Sequence, residues 1–202
     1  MVGQGHVVQF HKLVPLLVLL SVIDIVGFAI ILWSWFPSHI DGNTIVTAII
    51  LLLLIILAEQ LAIDLPIPYA RVTVSVSSAL TFAAVLTVGP VLGVVIAVAA
   101  TLADDLIDKR EPVKMWANVS NFALQGIIAG PIYFLLAEKG SPLESLRNFG
   151  VMLLAAFVSS GIETVLLALV LSVAMGTSAW YLWRSMARGL LVEFLALPAL
   201  GS

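Results

Sequence analysis

The stretch DDLID places three carboxylates, Asp104, Asp105 and Asp108, on little more than one helical turn. Oxygen ligands so spaced suit a hard cation such as magnesium. A magnesium–diphosphate enzyme would need a second acidic motif on another helix, and the sequence offers none. Lys109 and Arg110 follow at once and can neutralise the three acids, so the segment reads as a solvated helix end. The chain has no cysteine, which removes thiolate nucleophiles and Cys-based zinc or iron–sulfur sites. His6, His11 and His39 fall in terminal or loop segments, outside any HExxH or GxSxG frame. The expectation is a protein with no catalytic residue, no bound metal and no cofactor, and hence not an enzyme.

A second group of residues points to binding. In WANVSNFALQGIIAG, Asn118, Asn121 and Gln125 recur at helical spacing within an uncharged run. Lipid cannot satisfy amides, so their face must turn into a bundle. Glu163 lies near the middle of another apolar run, with Ser159 one turn before it, and Ser75 and Ser77 open a third. The expected polar interior, where a ligand would bind, is therefore Asn118, Asn121, Gln125, Glu163, Ser159, Ser75 and Ser77. Within it Gln125 is the expected direct partner of Glu163. Asp24 and Glu59 are read as structural hydrogen-bonding groups.

The elements that carry these residues are set by composition. Of 202 residues, 61% are hydrophobic and 10% charged, and mean hydropathy is +1.15. Soluble domains carry about 25% charged residues. The fold class expected is an all-α, polytopic transmembrane helical bundle with six full spans and a truncated seventh. The spans are 13–36, 44–63, 73–88, 90–107, 116–137 and 148–175, with a last apolar run from about Leu190. Pro66 and Pro68 interrupt the chain before the third span, and the Gly89–Pro90 pair separates the third from the fourth. The N-terminus has no cleavage-site pattern and is read as a retained first span after about 12 polar-flanked residues. The final run offers about 13 residues where a crossing needs roughly 20. The whole of 1–202 thus reads as one integral-membrane domain, and as a fragment whose output domain is absent.

Lys12, Arg71, Lys109, Arg110, Lys114, Arg184 and Arg188 fall on one side of this topology, and Lys139 and Arg147 on the other. The positive-inside rule then puts the N-terminus and the DDLIDKREPVK loop in the cytoplasm. Small residues mark close helix packing: Gly126 and Gly130 in a GxxxG, Gly93, Ala97 and Thr101 along the fourth span, and Ala155 and Ser159 on the sixth. No polybasic tract suggests nucleic acid.

The block AEQLAIDLPIPYARVTVSVSSALTFAAVLTVGPVLGVVIAVAA, with the charged loop and NVSNFALQGIIAGPIYFLL after it, resembles the N-terminal multi-span sensor region of bacterial HD-GYP and GGDEF signalling proteins. Glu59, Ser75, Ser77, Gly89, Pro90, Arg110, Asn118, Asn121 and Gln125 sit where that pattern would place them. The resemblance implies a sensory input module in the bacterial inner membrane that perceives a small ligand or a membrane state. It would relay this to a cytoplasmic domain handling cyclic di-GMP. Implied partners are the lipid bilayer, a small-molecule ligand, and either a second copy of the chain or the cytoplasmic signalling domain. The same hydropathy resembles the substrate-binding S components of energy-coupling-factor vitamin transporters, which implies the alternative of a solute-uptake subunit.

Overall fold

The computed structural model describes residues 12–37, 40–61, 63–67, 70–74, 77–138, 140 and 143–186, with 63–67 and 70–74 as backbone. Its elements in chain order are α1 (Val14–Trp35), α2 (Gly42–Gln60), β1 (Ile63–Ile67), β2 (Ala70–Val74), α3 (Ser77–Val88), α4 (Pro90–Ile107), α5 (Pro112–Leu136) and α6 (Leu146–Met175). A short helical stretch follows at 179–186.

Five of these helices, α1, α2, α4, α5 and α6, are long and apolar enough to cross a membrane. Many of their large side chains are exposed, among them Ile25 (69%), Leu53 (60%) and Phe157 (66%). Such a surface would aggregate in water and is at home in hydrocarbon, which makes this a membrane protein. The expectation of six full spans is corrected at the third. With 12 residues α3 is about 18 Å long, against a hydrocarbon thickness of about 30 Å.

The reason lies in the residues before it. Thr73 and Val74, expected at the head of that span, belong to β2, which pairs antiparallel with β1 from Ile63↔Val74 to Ile67↔Ala70. The β-branched residues of VTV favour an extended chain, and Pro66 bars a helix there. The all-α expectation is thereby amended by one two-stranded hairpin. The run expected from Leu190 lies outside the described residues, as do the histidines His6, His11 and His39.

Local signals account for the helix ends. The Asp41 carboxylate accepts the Thr44 N–H at 2.7 Å and caps α2, and this bond holds Asp41 below its ordinary value of 3.8. Ser145 caps α6 through the Asn148 N–H at 3.0 Å. Pro residues open α1, α4 and α5, where their missing N–H costs nothing. Gly89, between α3 and α4, has φ +89, a conformation that residues with a Cβ rarely adopt.

At the centre is α5, which packs against α1, α3, α4 and α6. Its GxxxG serves a different neighbour from α6. A Cβ on Gly126 would meet Val94 at 2.7 Å, and one on Gly130 would meet Pro90 at 2.8 Å. The glycines therefore seat α5 on α4. Gly93 in turn lets α4 approach the backbone of α3 at Val85. Helices α1 and α5 run parallel, with Leu13, Leu17 and Leu20 beside Val113, Trp116 and Leu124, and Ile31 beside Ala123 and Ile127.

Candidate functional site

Polar side chains converge at the bundle end where α2 and α4 finish and α3 and α5 begin. Asp104 and Asp105 are 3% and 0% exposed, so the expectation that DDLID is a solvated helix end is overturned for these two. Arg110, from the loop after α4, turns back onto α4. Its guanidinium lies 3.3 Å from Asp104, 2.9 Å from Asp105 and 2.9 Å from Asp108. Partial burial disfavours its charge, but the hydrogen bond to Asp108 and the charges of Asp105 and Asp104 outweigh this and hold Arg110 above its ordinary value. Gln60 donates to Asp104 at 2.7 Å from the end of α2, and Asn118 donates to the same Asp105 oxygen at 2.9 Å from α5. The second Asp105 oxygen is buried without a partner.

Adjacent to this network is the first turn of α3. The Ser77 hydroxyl donates to Glu59 of α2, and the Ser78 hydroxyl lies 3.2 Å from both oxygens of Glu163 on α6. Two consecutive serines thus join α3 to the helices on either side, and both carboxylates sit at a helix N-terminus, where the macrodipole favours negative charge. On the other side of α5, Ser120 donates to Asp24 and Trp116 Nε1 donates to Ser21 at 2.6 Å. Asp24 is therefore an α1–α5 seam residue, as its structural reading implied.

One turn deeper is a cleft lined by Thr81, Phe82 and Val85 of α3, Gln125, Gly126 and Ala129 of α5, and Ser159 of α6. It is too narrow to admit a water molecule. The Thr81 hydroxyl and the Gln125 side-chain nitrogen, on residues 1% and 2% exposed, have no hydrogen-bond partner, nor has the Asn121 side-chain oxygen nearby on α5. Each such buried group costs about 1–3 kcal/mol.

The expected interior residues are therefore not one cluster. Asn118 and Ser77 belong to the acidic end, Glu163 meets Ser78, and Gln125 and Ser159 line the cleft. Ser75 lies outside the described residues. The Gln125 amide does not donate to Glu163 as expected, because its side-chain nitrogen has no acceptor. The reason is depth: α6 brings Ser159 to the height of Gln125, and Glu163 falls one turn, about 6 Å, closer to the acidic end. Sequence reasoning singled out Asp104, Asp105 and Arg110 but read them as solvated, and it missed Thr81. The available signal for the first three was the pairing of a charged turn with an amide, Asn118, at the start of the next helix. Among the described residues no group of three or more His, Asp or Glu is placed to hold a metal ion.

Compared with known proteins, the chain matches no protein family, no curated protein and no solved structure.

Proposed function

We propose that the chain is the membrane-embedded input module of a bacterial signalling protein. It lies in the cytoplasmic membrane with its N-terminus and acidic end toward the cytoplasm. It binds a small molecule within the bundle and passes the bound state to a cytoplasmic domain that handles cyclic di-GMP. The observation that carries the binding role is the set of buried, unpartnered polar atoms on α3 and α5: Thr81 Oγ1, Asn121 Oδ1 and Gln125 Nε2. Lipid cannot bond them and water has no room, so a ligand that supplies the missing partners gains what the empty bundle lacks.

Two further features favour this reading. Glu59, Ser77, Arg110 and Asn118, which carry the resemblance to HD-GYP and GGDEF sensor regions, gather at one end of the bundle. At the same end the DDLID carboxylates are engaged by Arg110, Gln60 and Asn118. That arrangement suits structural anchoring better than diphosphate chemistry. The Lys and Arg of this end support its cytoplasmic placement.

The test is the cyclic di-GMP level of cells expressing the gene together with its downstream sequence. Asn121→Leu with Gln125→Leu should change that level without changing the amount of protein in the membrane. An unchanged level, or a reading frame that continues into neither an HD-GYP nor a GGDEF domain, would overturn the signalling role. Neighbouring genes for an ATPase and its membrane partner would favour the solute-uptake alternative instead.

A further inference from the structure

Three helical threonines in this protein show an ordinary habit that the buried Thr81 does not follow. Thr87, Thr101 and Thr164 donate their hydroxyls to the carbonyls of Ala83, Ala97 and Ser160, four residues earlier, at 2.7, 2.9 and 2.8 Å. Thr81 is 1% exposed, yet its hydroxyl has no partner at all and lines the cleft. Across the cleft stands the Gln125 amide nitrogen, a donor with no acceptor, on a residue 2% exposed.

The chemistry of these two groups selects a ligand class. The amide nitrogen can only donate, and the threonine hydroxyl can donate as well. A single carbonyl oxygen has two lone pairs and can accept from both at once. Ser159 adds a second hydroxyl to the lining, and no lining residue carries a formal charge, so a neutral molecule fits where an ion would be stranded. The other walls, Phe82, Val85 and Ala129, are apolar. Phe82 lines the cleft and is only half-buried.

We propose that the cleft between α3, α5 and α6 is the ligand site, and that it takes a neutral carbonyl compound with a compact apolar body. The ligand comes from the bilayer and displaces the Phe82 ring, and its oxygen accepts from Gln125 and Thr81. This rests on the binding role proposed above and names its site and ligand class. The unliganded cleft admits no water, so its two donors stay unquenched until the carbonyl arrives.

Benzophenone is a suitable probe, since its carbonyl is the photoreactive group and it partitions into lipid. One ring would replace that of Phe82 while the other remains in the bilayer. The full chain in phosphatidylcholine vesicles is irradiated with benzophenone and the adducts are mapped by mass spectrometry. Adducts should concentrate on Phe82, Val85, Ala129 and Ser159. Thr81→Val combined with Gln125→Leu should weaken cleft labelling about eightfold, as expected for two membrane hydrogen bonds of about 0.6 kcal/mol each. Thr81→Ser, which keeps the hydroxyl, should label like the parent. Adducts scattered over lipid-facing positions such as Ile25 and Leu53, or cleft labelling indifferent to the double substitution, would overturn the site. Cleft labelling that obeys these substitutions with no effect on cyclic di-GMP would leave the site standing and remove the signalling role.

Discussion

At Arg110 one guanidinium faces three carboxylates, two of them on buried residues. Arginine fits this place because its planar fork can serve several acceptors at once. Removing it strands Asp104 and Asp105 in the bundle with their charges unopposed. Arg110→Ala should therefore cost about 3 kcal/mol, the range for breaking a buried ion pair from one side. Arg110→Lys should cost less, because it keeps the charge but loses the fork. The exposed pair of Arg147 and Glu138, with side chains 63% and 56% exposed, provides the contrast, and Arg147→Ala should change stability by less than about 1 kcal/mol. Equilibrium unfolding in mixed detergent measures all three. An Arg110→Ala protein as stable as the parent would show that the aspartates do not need a counter-charge. At this scale the sequence displayed the neutralising neighbour, since Arg110 follows DDLID directly. It did not display burial, which depends on Asn118 and Gln60 arriving from other helices.

Helix by helix, boundaries were the most legible feature. The fourth span, Pro90–Ile107, was delimited to the residue, because a Gly–Pro pair opens it and a charged turn closes it. Which faces meet was less legible. The GxxxG of α5 marks a close approach but does not name the partner, and the structure assigns it to α4. Gly93 shows how tight this packing is. A Cβ there would stand 2.5 Å from the Val85 Cα, a backbone atom that cannot rotate away, whereas a Cβ on Gly150 of α6 meets nothing within 4 Å. Gly93→Ala should destabilise the bundle by about 1–3 kcal/mol through overpacking. Gly150→Ala should be neutral or stabilise by up to about 1 kcal/mol, from better helix propensity. Unfolding of the two variants side by side checks this, and equal stabilities would refute the α3–α4 contact.

For the whole molecule the predicted property is orientation. Leu13 packs beside Val113 and Trp116, so the start of α1 and the loop before α5 lie at the same end. Arg147 and Glu138 mark the opposite end. The chain has no cysteine, so single cysteines report without background. Glu111→Cys should resist a membrane-impermeant maleimide in intact cells and react after lysis. Glu144→Cys, at the other end, should react in intact cells. Labelling of Glu111→Cys from outside would invert the topology and with it the cytoplasmic placement of the acidic end.

The sequence by itself determined that this is a bundle of apolar helices, where most of them begin and end, and that its amides and carboxylates cannot face lipid. Those facts follow from hydropathy, proline, glycine and capping residues, each of which acts within a few residues of chain. Tertiary structure alone decided that Glu163 meets Ser78 while the Gln125 nitrogen stays unpartnered, and that Asp105 is sealed inside. These depend on the depth and rotation of one helix against another. A shift of a single turn, about 5.4 Å, exchanges every polar partner while leaving the apolar pattern of each helix unchanged.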